Sequence, residues 1–157
     1  MMKYYRDLSS KVWGYDPTTQ ALLIATAVTA GWTDVTSAWP PAPPSPTAAQ
    51  QAATLLAAGL AVTSTGTPAL SGTFATTANA VANVNAVITY ILLNSTFPGG
   101  GSTMPWVDHA GSTHIFPSTT AFKAFATAFA DFVAQAQLFA DSNGAIGALP
   151  SNTVTIP

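Results

Sequence analysis

A chain of 157 residues with a formal net charge of −2 has room for one ordinary domain or two very small ones. Only 6% of its residues are charged, against roughly 25% in an ordinary soluble domain. Four basic residues provide no patch for phosphates, which excludes nucleic acid as a partner. The absence of cysteine excludes a disulfide framework and any thiolate metal site.

Residues 1–16 alternate aromatic and polar side chains, with Tyr4, Tyr5 and Arg6 on one strand and Val12, Trp13 and Tyr15 on the next. Asp7-Leu8-Ser9-Ser10 supplies the turn of a β-hairpin. Asp16 before Pro17 reads as a helix cap followed by a first helical residue. Leu22, Leu23, Ala27 and Ala30 then form the apolar face, and Gly31 ends the helix. A strand through 21–28 is the rival reading, because Ile24, Thr26, Val28 and Thr29 are β-branched. This most apolar stretch is too short for the ~20 residues that span a bilayer. Residues 1–7 lack the unbroken apolar run of a secretory signal. The expectation is a soluble protein, made in a cytoplasm and not inserted in a membrane.

After Trp39, five of seven residues are proline, which predicts an extended rod over residues 40–46. Its PxxP spacings lack the basic flank of an SH3 ligand, so a spacer is the expected role. Thr47 and Gln50 then form a T-x-x-Q capping box, with Leu55, Leu56 and Leu60 as the apolar face and Gly59 as the stop. Residues 62–74 read as two short strands about a Gly-Thr-Pro turn. A second helix starts near Thr76 or Thr77, with Val81, Val84, Ile88 and Ile91 on one face and Leu92 alongside. A further hairpin joins 104–108 to 113–116 through Gly111. Ser118 caps the longest helix, where Phe122, Phe125, Phe129, Phe132, Ala136 and Phe139 form an unbroken stripe. Val154, Thr155 and Ile156 suggest a closing strand. The expected fold class is α+β, with short β-hairpins, two or three amphipathic helices and a small N-terminal hairpin module on a proline-rich linker. The expected division is 1–39, 40–46 and 47–157.

Few residues carry chemistry. Asp108, His109 and His114 form the only cluster of titratable side chains, and two histidines with an aspartate suit zinc. The plainer reading has Asp108 opening the turn through its side-chain oxygen while His114 covers a strand. There is no G-x-S-x-G elbow, no phosphate loop after the Gly99-Gly100-Gly101 run, and no glutamate for a carboxylate pair. No enzyme activity and no cofactor are expected.

Two features point to protein partners. Residues 40–107 contain no Asp, Glu, Lys or Arg, so much of this surface is expected to be covered in an oligomeric assembly. Tyr4, Tyr5, Trp13, Tyr15, Trp32 and Trp39 crowd the first 39 residues, which cannot bury them all. Flat aromatic rings are enriched at interfaces, and these six are the candidate partner-binding residues. A glycan platform is the alternative, with Asp7, Asp16 and Asp34 available beside the rings.

The opening Lys3-Tyr4-Tyr5-Arg6-Asp7, with its aromatic partner strand, resembles the start of small tailed-phage proteins encoded near tail-fibre genes. Ser64-Thr65-Gly66-Thr67-Pro68-Ala69-Leu70-Ser71-Gly72-Thr73-Phe74 and Phe97-Pro98-Gly99-Gly100 are followed by Pro105-Trp106-Val107-Asp108, Gly111, His114-Ile115-Phe116-Pro117-Ser118 and the Phe-rich helix. Together they resemble the C-terminal domain shared by phage tail-fibre, fibre-accessory and fibre-assembly proteins. The likeness covers about residues 62–140 and, loosely, the N-terminus. Residues 17–46 have no counterpart. It implies a structural or accessory role in the tail or fibre region of a virion, with other virion proteins as partners and synthesis in the host bacterial cytoplasm. The alternatives it leaves open are an assembly chaperone at the fibre tip and a host-glycan-binding module. It transfers no catalytic residue.

Overall fold

The computed structural model describes residues 1–39 and 44–157. They form two compact units, Met1–Ser45 and Pro46–Pro157, divided inside the predicted linker. The rod expected at 40–46 falls largely on residues 40–43, outside the described residues.

In the first unit the Asp7 side chain builds the expected turn. Its Oδ1 accepts from the backbone N–H groups of Ser9 and Lys11, both at 2.9 Å, and from the Ser9 hydroxyl at 2.7 Å. The turn joins β1 (Lys3–Arg6) to β2 (Val12–Tyr15), antiparallel and with Tyr5 opposite Trp13. The helix α1 (Ala21–Thr29) begins at Ala21 and not at Pro17. Asp16 instead closes a turn of its own, accepting the Thr18 N–H at 2.9 Å, while the Gln20 amide oxygen takes the Asp16 N–H at 2.8 Å. These local bonds compete with helix for residues 17–20. A two-residue strand, β3 (Thr33–Asp34), lies on the other side of β1 and gives the order β2-β1-β3.

The second unit opens with α2 (Ala48–Ala58), whose capping box forms as expected. The helix buries Ala48 and Ala52 and half-buries Leu55 and Leu56. Leu60 was expected on this face, but Gly59 at φ 79° turns the chain and places Leu60 in the next strand. A Cβ at Gly59 would stand 2.7 Å from the Phe74 carbonyl oxygen. Strands β4 (Leu60–Ser64) and β5 (Gly72–Phe74) pair antiparallel around a 3-10 turn at Pro68–Leu70. The helix α3 (Ala78–Asn94), capped by Thr77, buries Val84, Val87 and Ile91. Val81 and Ile88 are half-buried and Leu92 is exposed, so the buried face is rotated from the expected one toward Val87.

The hairpin β6 (Met104–Val107) and β7 (Thr113–Phe116) and the helix α4 (Thr119–Asp141) follow the expected pattern. Ser118 accepts the Ala121 N–H at 3.2 Å. Phe122, Phe125, Phe129 and Phe132 are buried, and Phe139 is half-buried beside Gly144. Phe125 meets Phe74 at 4.8 Å and Phe116 at 5.2 Å between ring centroids, and Phe122 meets Phe116 at 5.0 Å. Tilted aromatic packing of this kind stabilises beyond area alone, each buried Phe contributing about 1.5–3 kcal/mol of transfer energy. Finally β8 (Thr153–Ile156) pairs parallel with β4, giving the order β5-β4-β8. Ser64 donates its hydroxyl to the Pro157 carbonyl at 3.1 Å, 93 residues along the chain. Four helices and three small sheets among the described residues make the fold α+β.

Candidate functional site

Strand alternation divides the N-terminal aromatics between two faces of the small sheet. Tyr5, Trp13 and Tyr15 share one face, where Trp13 stacks on Trp32 at 6.2 Å and 27° and Tyr5 meets Tyr15 at 6.3 Å. Tyr4 lies on the other face with Trp39, 6.1 Å between centroids. Of the six candidates, Tyr5 is withdrawn from the surface at 6% exposure, on the central strand of the sheet and beside the Tyr15 ring. Trp13 and Trp39 are exposed, while Tyr4, Tyr15 and Trp32 are half-buried.

The charges beside these rings are already engaged. Besides its turn, Asp7 accepts the Trp13 indole N–H at 2.9 Å. That bond first, and Ser9 second, hold its carboxyl at about 2. Lys11 sits 4.0 Å above the Trp13 ring as a cation–π partner. Asp34 accepts the Thr36 N–H at 2.8 Å, with Lys3 at 3.9 Å, and its pKa is lowered, chiefly by Thr36. Asp16 is lowered chiefly by the backbone N–H of Thr18.

An apolar surface that sequence reasoning missed lies on α1. Leu22 is 81% exposed, and Leu23 and Val28 are exposed with it. Ala27, at 3%, is the only residue of the expected face to be buried. The signal available in the sequence was the helix itself, ALLIATAVT, which carries no charge on any side. A helix apolar all round belongs inside something larger.

In the second unit, Asp108 and His114 come together and His109 does not join them. His114 Nε2 is 3.0 Å from Asp108 Oδ2, and Nδ1 is 2.7 Å from the Ala69 carbonyl oxygen. Both partners are acceptors, so the ring satisfies both only as the doubly protonated imidazolium. The Ala69 carbonyl first and Asp108 second raise the His114 pKa, with burial opposing, while His114 is the main cause of a lowered Asp108 pKa. Asp108 Oδ1 also accepts the N–H groups of Ala110 and Ser112, at 2.9 and 2.8 Å. Gly72 makes room for the pair, since a Cβ there would lie 2.9 Å from His114 Nε2. His109 instead gives its backbone N–H to the Thr73 carbonyl at 2.7 Å and borders a hollow of about 160 Å³ with Leu56, Ala57 and Thr76. Among the described residues no three His, Cys, Asp or Glu side chains are placed to hold a metal ion. In the protonated ring both nitrogens are engaged as donors. Its chemistry here is to clip the β6–β7 turn to the Pro68–Leu70 turn and β5.

No helix among the described residues is long and apolar enough to cross a membrane. Comparison of the chain with models of known protein families, with curated proteins and with solved structures finds no match.

Proposed function

We propose that the chain is a structural or accessory component of a tailed-phage virion, in the tail or fibre region, that works by docking on neighbouring chains. The observation that carries the docking is the thinness of the first unit. Among its described residues it buries only Tyr5 and Ala27 of its apolar side chains, while Leu22, Leu23, Val28, Trp13 and Trp39 face outward. A unit with so small a core that turns these side chains to water supports an interaction surface on it. The uncharged run at 40–107 supports the same reading for the second unit, and the sequence resemblance supplies the virion as the setting. The glycan platform on the N-terminal rings is disfavoured, because Asp7, Asp16 and Asp34 are each committed to turns of their own.

Mass spectrometry of purified virions of the phage that encodes the chain tests the proposal. A stoichiometric presence is expected. Its absence from virions, with the protein abundant in infected cells, would overturn the structural version and favour an assembly chaperone that leaves the fibre tip.

A further inference from the structure

The sheet of the second unit, in the order β5-β4-β8, has two edges of different character. The β5 edge is closed where the Thr73 carbonyl takes the His109 N–H at 2.7 Å. Toward the other edge, Ala61 donates to the Asn152 carbonyl at 2.7 Å and Thr65 to the Ile156 carbonyl at 3.0 Å. In the parallel register of β4 with β8, these bonds turn the backbone of Asn152, Val154 and Ile156 toward β4. The backbone of Thr153 and Thr155 therefore faces outward. Ser151 Oγ accepts the Thr153 N–H at 3.2 Å. The Thr155 N–H and both threonine carbonyls are left without a partner among the described residues. Residues 153–156 hold no proline and no charge, the usual guards of an exposed edge.

A hollow of about 460 Å³ lies between this edge and α4. Every residue from Thr153 to Pro157 lines it, odd and even alike, so it meets the strand along its edge and not on one face. On the α4 side it is floored by Ala124 and Ala128, both half-buried, and by the buried Phe132. Val154 and Ile156 turn into the same core, so a strand added beside β8 would lay its matching alternate side chains over that floor. Among the described residues lining the hollow, Asp131 carries the one charged side chain, and it is exposed.

From this we infer that β8 takes up a further strand, an extended segment of a partner protein with apolar side chains over Ala124, Ala128 and Phe132 and a lysine or arginine beside Asp131. Such a strand gains backbone hydrogen bonds at the Thr155 N–H, the Thr155 carbonyl and the Thr153 carbonyl. The β8 of a second copy offers the same bonds but brings no cation to Asp131, so a different segment is the better match. The edge lies wholly in the second unit and does not depend on the docking face of the first. The test is an amide NMR titration of the full chain with the capped peptide Thr-Val-Thr-Arg-Thr-Val-Thr, which alternates in the required way. Its control carries glutamate in place of the arginine. At up to about 5 mM, which reaches a millimolar Kd, the arginine peptide is expected to shift the Thr155 amide and slow its hydrogen exchange. The glutamate peptide is expected to bind at least about threefold more weakly, and Asp131→Asn to bring the two within about twofold of each other. Methylating the N–H of both threonines beside the arginine removes the donors that face β8 and is expected to abolish binding. No saturable shift with the arginine peptide, undiminished binding of its methylated form, or equal binding of the glutamate peptide would overturn the inference. So would a Thr155 amide already protected before peptide is added, which pairing between copies would produce.

Discussion

Gly72 shows how one missing side chain can hold a charged pair in place. The ring of His114 and the carboxylate of Asp108 stand where a Cβ would be, at 2.9 Å and 3.3 Å. Gly72→Ala is expected to cost about 1–3 kcal/mol through overpacking, read as a lower urea midpoint. In a His114→Ala background the same substitution should cost less, because the clash has gone. The pair also makes stability depend on pH. The raised His114 pKa means that its contribution is full below about 6.5, the ordinary histidine value, and is lost as pH rises through the folded-state value. The lowered Asp108 pKa gives a contribution present above the ordinary carboxylate value and lost as pH falls through its own folded-state value. Urea midpoints of the wild type and His114→Gln, measured across pH, are expected to converge as pH rises past neutrality. Parallel curves would show that the ring is not charged in the native state.

Among the elements, α4 was legible because two signals agree: a serine cap and a 3-4 spacing carried by five phenylalanines and Ala136. Phe125 touches Phe74, Phe116, Phe122 and Phe129, and Phe125→Ala is expected to cost about 3–5 kcal/mol. Thermal melts of the two chains measure it directly. Elsewhere a local bond, or a neighbour from another part of the chain, decides the outcome. The start of α1 moved because Asp16 bonded to Thr18 in preference to capping a helix at Pro17. Leu60 left its helix because Gly59 had to pass close to the Phe74 carbonyl. Val87 took the buried position that spacing assigned to Ile88, since several faces of α3 carry apolar residues and packing chose among them. The six N-terminal aromatics could be named from composition, yet the covering of Tyr5 and the exposure of α1 depend on partners that local sequence does not encode.

Taken as a whole molecule, the chain divides its stability unequally. The second unit has a continuous core from Leu60 to Ile156, whereas the first rests on two buried apolar residues among those described. Hydrogen exchange is expected to find the amides of β1 and β2 poorly protected and those of α4 protected up to the global unfolding free energy. Equal protection across both units would show that something else supports the first. If α1 joins copies of this chain, light scattering should give an oligomer for the wild type and a monomer for Leu22→Asp with Leu23→Asp, the urea midpoint of the second unit staying unchanged. A monomeric wild type, or equal association of both proteins, would show that α1 is no such face.

The parallel strand β8 carries a consequence for how the protein is made. Its partner β4 emerges from the ribosome long before it, the Ser64–Pro157 bond alone spanning 93 residues. At about 5–20 residues per second of synthesis, one side of β4 waits roughly 5–20 s for its neighbour. Throughout that interval the nascent chain presents a strand with open hydrogen-bonding groups and no nearby charge to repel another copy. Yield in the cell should therefore fall with crowded translation more steeply than native stability alone would suggest.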